Sequence, residues 1–299
     1  MIRRALVTGA RGFLGRAVVA ALRRRVPGCE IVAVSRRAPG PGDVAGPVLD
    51  LGLRSGWDQL DGSFEWVFHL AAAIPGRKDA AADPDVFSDN TAPCLELLRA
   101  CGRLGVRRLV YASSISVYPM GAAPVLHEDL TPRPNTLYGA AKLAGEHIVA
   151  QASVHGAGVI ALRLSSLYGP GQNAGSVLPF FIERARAGQA IEVMAGGART
   201  QDFLHVDDAA EVMVDAAAST ATGVYNLGSG NATSMLELAR TIAGLPRWNV
   251  AVVDRGGQES APSVVLDLGK ARRDWDHRQR ISLAEGLKHY HDVLLEREP

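Results

Sequence analysis

The chain has 299 residues, 47% of them hydrophobic, with 32 Lys plus Arg against 31 Asp plus Glu. That apolar content excludes a disordered chain. A net charge of +1 offers no general attraction to nucleic acid or an anionic membrane, because both need clustered, uncompensated cations.

Ala5-Leu6-Val7-Thr8 is an apolar run that stops at Gly9, as a buried strand does. From Phe13 to Arg25 the apolar residues Leu14, Val18, Val19 and Leu22 recur at helical spacing, ending in arginines that suit the helix dipole and read as a solvated helix end. Residues 30–34 and 66–70 read as further strands, 86–101 as a helix, and 109–112 and 159–162 as strands. Apolar runs alternating with helices mean βαβ units and a parallel sheet. After Gly171 the pattern changes, with helices predicted at 177–186, 206–218 and 234–243 and strands at 225–227 and 250–253. The expected fold is α/β: a Rossmann-like doubly wound parallel sheet with a smaller, mainly C-terminal substrate domain. Residues 1–165, rejoined by 201–228, form the dinucleotide-binding part, and 166–200 with 229–299 the substrate part. Cys29, Cys94 and Cys101 lack a C-x-x-C pair, so neither disulfides nor a metal site is expected. No run approaches the ~18 to 20 apolar residues of a membrane span, and no signal-like segment leads the chain, so the expected location is cytoplasmic.

Thr8-Gly9-Ala10-Arg11-Gly12-Phe13-Leu14-Gly15 joins the first strand to the first helix in a G-x-x-G-x-x-G pattern. Glycines there permit a tight turn, let the backbone approach a pyrophosphate and aim a helix N-terminus at it. Gly9, Arg11, Gly12, Phe13, Leu14 and Gly15 are the expected cofactor contacts. The second strand ends in Ser35-Arg36-Arg37, where an NAD-preferring fold puts an acid for the ribose 2′-hydroxyl and an arginine suits a 2′-phosphate. These residues predict NADP(H), with NAD the alternative and two solvated loop arginines the plain one. Asp50, with Leu51 beside it, is placed to meet the adenine amino group, or to serve as a turn residue.

Tyr138 and Lys142 lie four residues apart on one helix face, where the ammonium is expected to lower the phenol's pKa for acid–base work. Tyr111-Ala112-Ser113-Ser114 ends a predicted strand at the edge where open α/β sheets bind ligands.

The glycine loop, Asp50, His69-Leu70-Ala71-Ala72, Ser113-Ser114 with Val117-Tyr118, Tyr138-x-x-x-Lys142, Arg163, Tyr168-Gly169-Pro170 and the run from Asp202 to Asp208 resemble the extended short-chain dehydrogenase/reductases. Within them the chain is similar to the nucleotide-sugar epimerases, dehydratases and 4-ketoreductases. The resemblance implies that Ser114 and Tyr138 handle a substrate hydroxyl or carbonyl, and that Lys142 binds the nicotinamide ribose. It implies that Leu70, Ala71 and Ala72 line the cofactor and that Asn90 supports the site. The dehydratases' Asp-Glu pair is replaced by Ile115 and Ser116, and the decarboxylases' glutamate and the 3,5-epimerases' cysteine by Ser116, which disfavours those reactions.

Two family arginines for a nucleotide diphosphate are replaced, one by Gln201 and the other near Gly256-Gly257, while Arg199 and Arg255 stand close by. Ser166 replaces a family asparagine. Ser114, Ser116, Ser166, Arg199, Gln201 and Arg255 are therefore the expected substrate contacts. The leading reading is an NADP(H)-dependent 4-ketoreductase of a nucleotide-activated sugar. The alternatives are an NAD-dependent 4-epimerase working through a transient ketone, a reductase of a non-nucleotide ketone, and a cofactor sensor without turnover. His69 reads as packed near the cofactor, and His205 with Asp207-Asp208 as a carbonyl contact and a helix start. A homodimer is implied by resemblance alone.

Overall fold

Side chains alternate strictly along the N-terminal strands. Ala5 and Val7 are buried on one face of the sheet and Leu6 on the other; Val110 and Ala112 go with the first, Leu109 and Tyr111 with the second. A strand buried on both faces has no polar side to display, so these segments read as continuous apolar runs. The computed structural model describes residues 2–75, 83–119, 121, 123–173, 175–258, 262–275 and 277–296.

The N-terminal elements are β1 (Arg4–Thr8), α1 (Phe13–Arg25), β2 (Glu30–Val34), α2 (Arg54–Asp58), β3 (Trp66–His69), α3 (Pro84–Cys101), β4 (Arg108–Ser114), β5 (Val125–Leu126), α4 (Leu137–Ala150) and β6 (Gly158–Leu164). Then come β7 (Ser166–Tyr168), α5 (Val177–Arg186), β8 (Ile191–Val193), β9 (Thr200–Gln201), β10 (Phe203–His205), α6 (Val206–Ala218) and β11 (Gly223–Leu227). The chain continues through β12 (Thr233–Ser234), α7 (Met235–Ala243), β13 (Val252–Asp254), β14 (Val265–Leu266), α8 (Gly269–Trp275) and α9 (Leu283–Glu296).

The central sheet is six-stranded and parallel, in the spatial order β2-β1-β3-β4-β6-β11. The chain leaves β1 for β2 on one side and returns to β3 on the other, so a crevice opens at the carboxyl ends of β1 and β3. Val18 and Leu22 of α1 and Ala209 and Met213 of α6 pack on one face. Cys94 and Leu97 of α3 and Val149 of α4 pack on the other. A third core joins Phe181 and Ile182 of α5, Leu238 and Ile242 of α7, and Leu287 and Tyr290 of α9. Four two-stranded pairs, β7–β10, β9–β12, β8–β13 and β5–β14, hold this C-terminal part together.

Local chemistry sets the helix starts. Asp83 accepts from the Asp85 amide with Pro84 in the first turn of α3, so that helix begins two residues before the predicted 86. Thr136 caps α4 through the Gly139 amide, and Ser234 caps α7 through Glu237, which puts Ser234 outside the helix. The strand predicted at 250–253 begins at Val252.

The arginines ending α1 are more than a solvated end. Arg24 pairs with Glu211 at 2.7 Å, and Arg25 with Glu211 and Asp215 at 2.9 and 2.6 Å, tying α1 to α6. The three cysteines are unpaired. Among the described residues no helix is long and apolar enough to cross a membrane.

Candidate active site

The glycine loop lies at the crevice between β1 and β3. Gly9 has φ +66°, and a Cβ there would come 2.8 Å from the Ala71 backbone nitrogen beyond β3. A Cβ on Gly15 would come 2.1 Å from the Gly9 carbonyl oxygen, so Gly15 seats α1 against the loop. Gly12 is the exposed, extended N-cap of α1, without a side-chain cap and without an acid in the first turn. The first amides of α1, from Phe13 and Leu14 onward, thus open on the crevice with the positive end of the helix dipole, which fits a pyrophosphate. Thr8 Oγ1 accepts from the Leu70 and Ala71 amides, each at 3.1 Å, and meets His69 Nδ1 at 2.9 Å. Burial drives His69 down to about 3, so it is neutral and packed. Asn90 Oδ1 accepts from the Ala73 amide, and its Nδ2 donates to the Ala73 and Val86 carbonyls, which fixes the segment holding Leu70, Ala71 and Ala72.

Arg11 is buried with its guanidinium turned into the loop after β2, donating to the carbonyls of Val44 (3.2 Å), Arg37 (2.6 Å) and Gly46. Arg36 pairs with Asp89 on α3 at 3.3 Å. Arg37 donates to the Arg11 carbonyl at 2.9 Å and pairs with Asp43 at 3.2 Å; Asp43 also holds Arg16 at 2.6 Å. Ser35 Oγ accepts from the Arg37 amide. Asp50 is exposed and accepts from the Gly52 amide at 2.9 Å, while Leu51 is buried in the core with its carbonyl on the Trp57 indole.

Ser114, Tyr138 and Lys142 come together at the carboxyl end of β4. Ser114 caps the short turn of residues 115–117, accepting from the Ser116 amide and donating to the Ser116 hydroxyl, both at 3.1 Å. Its hydroxyl also acts on the Tyr138 phenol, lowering that group's proton affinity. Burial pushes that phenol up to about 12, and the Ser114 hydroxyl pulls the other way. This departs from the expected lowering by Lys142. The ammonium lies over the Tyr138 ring, 5.7 Å from its centroid, and donates to the Ala112 carbonyl at 2.8 Å, so its charge is directed at the ring and that carbonyl. Lys142 itself is brought down to about 8 by burial, opposed by Glu146.

Behind these residues runs a buried polar chain that the sequence reading missed. Glu146 accepts from Ser113 Oγ and from Arg163 Nε and Nη2, the latter two at 3.0 and 2.9 Å. Arg163 lies on the Tyr118 ring, 4.7 Å from its centroid, and Tyr118 donates to Asn226 Oδ1 at 2.7 Å. The signal was available: Tyr138, Lys142 and Glu146 follow one another at four-residue spacing on one helix face.

On the substrate side the Gln201 amide donates to Ser166 Oγ, and Arg199 Nη1 donates to Gln201 Oε1 at 3.1 Å, so three expected contacts form one string. Arg255 stands apart from it, paired with Glu192 at 2.6 Å. His205 is a buried cap, its Nδ1 accepting from the Asp207 amide at 3.3 Å, instead of the expected carbonyl contact. With Asp207 and His289 it forms a group of potential metal-ligand atoms within 4.8 Å of one another.

A parallel sheet with an open helix N-terminus at its switch point, beside a serine, a tyrosine and a lysine, defines a nucleotide-cofactor enzyme built for hydride and proton exchange at a carbinol. The family described as "NAD dependent epimerase/dehydratase family" matches residues 5–228, and the chain belongs to it, among the extended short-chain dehydrogenase/reductases. The UDP-glucose 4-epimerase of Mycolicibacterium smegmatis is 29% identical over 95% of this chain and 96% of its own. The dTDP-glucose 4,6-dehydratase of Streptomyces niveus is 30% identical over 95% of this chain and 90% of its own. Among solved structures, MoeE5 in complex with UDP-glucose and NAD superposes with a TM-score of 0.84 at 31% identity, covering 98% of this chain and 99% of that one.

Proposed function

We propose that this enzyme interconverts epimers at C4 of a UDP-linked sugar, with NAD as its resident hydride carrier. The reading rests on the Ser114–Tyr138–Lys142 cluster standing beside the uncapped start of α1, with Ile115 and Ser116 where a dehydratase carries its acid and base. Sequence relatives named UDP-glucose 4-epimerase and a neighbour binding UDP-glucose with NAD support it. The NADP(H) expectation needs Arg36 and Arg37 available to a 2′-phosphate, whereas Asp89 and Asp43 hold them here.

Gly9, Gly12, Phe13, Leu14 and Gly15 would hold the pyrophosphate, Asp50 the adenine, and Lys142 the nicotinamide ribose. When bound, NAD would supply the hydride acceptor and a positive charge near the Tyr138 phenol. Tyr138 takes the proton of the C4 hydroxyl and returns it to the ketone oxygen from the opposite presentation of the sugar. Ser114 orients that oxygen through its hydroxyl. The phenolate that accepts the hydroxyl proton would be favoured by the NAD charge, while Lys142 lies over the Tyr138 ring and donates to the Ala112 carbonyl. Arg199 receives the diphosphate in place of the missing arginine at 201, since residues two apart on an extended edge face the same way. A homodimer through α3 accords with the exposed Phe87 and Leu95 on that helix.

The test incubates the purified protein with UDP-glucose and, separately, UDP-glucuronic acid, and follows the sugar by proton NMR. Appearance of the C4 epimer without net change in NADH supports the reading. Consumption of NADPH with a 4-keto nucleotide sugar, and no epimer, replaces it with the ketoreductase.

A further inference from the structure

Glu146 is a buried carboxylate eight residues beyond Tyr138 and four beyond Lys142, on the face of α4 that meets the sheet. Burying a carboxylate is costly unless it is paired, and even a well-paired buried ion pair adds little net stability over apolar residues of the same volume. Stability alone therefore does not explain the pair with Arg163, and its connections indicate another role. Ser113, which donates to Glu146, is the residue before Ser114. Ser113 and Arg163 are register partners on β4 and β6, so one carboxylate clasps the carboxyl ends of both strands. Beyond Arg163 the chain of contacts passes through Tyr118 to Asn226, whose Nδ2 donates to the Leu126 and Asp267 carbonyls at 2.8 and 3.0 Å. The helix is pressed close along the same face: a Cβ on Gly139 would come 2.2 Å from the Ser116 carbonyl oxygen, and one on Gly145 would come 2.1 Å from the Tyr111 hydroxyl.

We propose that Glu146 is a positioning residue for this site, fixing Ser114 against Tyr138 through Ser113 and supplying the negative charge that keeps the Lys142 ammonium in place. The inference builds on the reading of Ser114, Tyr138 and Lys142 as the reacting cluster. Two roles are separable by chemistry, because Ser113 carries the tether and the Glu146 carboxylate carries the charge. The groups facing Lys142 are His69 from β3, Cys94 from α3, Tyr111 from β4, and Tyr138 and Glu146 from α4. Of these, Glu146 carries the negative charge that opposes burial, because Cys94, pushed up to about 11 by its own burial, stays a neutral thiol.

The experiment uses the full chain and the variants Ser113→Ala and Glu146→Gln, with folding checked by circular dichroism. Lys142 is one of four lysines, so its side-chain NMR titration is resolvable and assigned by loss of the signal in Lys142→Arg. Ser113→Ala is expected to lower kcat about tenfold, since small displacements of reacting groups cost that much or more, and to leave the Lys142 titration unmoved. Glu146→Gln is expected to lower kcat at least as far and to move the Lys142 titration about half a unit or more to lower pH. The double variant should be no slower than Glu146→Gln beyond about twofold, because both changes break the same tether. If Ser113→Ala lowers only the melting temperature and leaves kcat per folded molecule unchanged, the tether is refuted. If Glu146→Gln folds and Lys142 titrates as before, the charge role is refuted; if it fails to fold, the Ser113→Ala kinetics decide. The lysine titration needs no substrate, so it speaks for or against Glu146 even where the wild-type enzyme epimerises neither sugar.

Discussion

Gly9 and the backbone of Ala71 touch across the switch point of the sheet: a Cβ on the glycine would lie 2.8 Å from the Ala71 nitrogen and 2.9 Å from its Cα. Both partners are main chain, so neither can swing aside. Gly9→Ala must move the β1 and β3 ends apart and also hold φ +66° with a side chain, at a cost of about 2 kcal/mol or more. We expect a lowered melting temperature together with a loss of NAD affinity of at least about tenfold by calorimetry. An affinity equal to wild type would separate this contact from the cofactor site.

Tyr138→Phe removes the only proton-transferring atom of that side chain and keeps its ring under Lys142. General acid–base groups of this kind are worth about 10²- to 10⁴-fold, so kcat should fall by that factor while the Kd for NAD stays within about threefold. Steady-state kinetics and calorimetry on the same preparation provide the check.

Asp43 governs Arg37. It accepts from Arg16 and Arg37 and from the Gly40 amide, and these contacts, the Gly40 bond first, hold its carboxyl below the usual carboxylate range. Asp43→Ala releases two guanidinium groups beside the end of β2, which should raise the affinity for NADPH relative to NADH by about fivefold or more. Fluorescence titration with the two reduced cofactors measures that ratio. An unchanged ratio would mean that Arg37 does not face the ribose.

Stability should fall on acidification well before the carboxylates protonate. His69 is neutral in the fold, with its pKa depressed to about 3 by burial, whereas in the unfolded chain it takes a proton near 6.5. A depressed folded pKa means that the unfolded state binds more protons in that window, so the contribution is whole above 6.5 and shrinks as pH falls from there toward 3. The slope is up to about 1.4 kcal/mol per pH unit. Urea midpoints at pH 7.5 and 5.5 should differ accordingly, and His69→Asn should flatten the difference.

The sheet strands and most helices were legible because burial on both faces writes itself as apolar runs, and because caps such as Ser234 mark where helices begin. The cluster of Ser114, Tyr138 and Lys142 was legible from motif and spacing. What the sequence hides is which polar partner each charged residue chooses. Arg11, within the glycine motif, donates its guanidinium to three carbonyls more than 25 residues along the chain. Arg36 and Arg37 find Asp89 and Asp43, pairings that depend on where α3 and the loop after β2 fold back. Tyr138 met burial where spacing suggested a cation. Each of these outcomes is a tertiary event, set by desolvation and long-range contact, and no local pattern encodes it.

The Arg11 guanidinium also bears on how cofactor choice can change over time. By gripping Arg37, Val44 and Gly46 through their carbonyls, it recognises the loop's path and ignores its side chains. Ser35, Arg36 and Arg37 can then mutate with the main chain still pinned, so a lineage can pass between the two dinucleotides by exchanging side chains on a fixed frame, without having to invent a new loop.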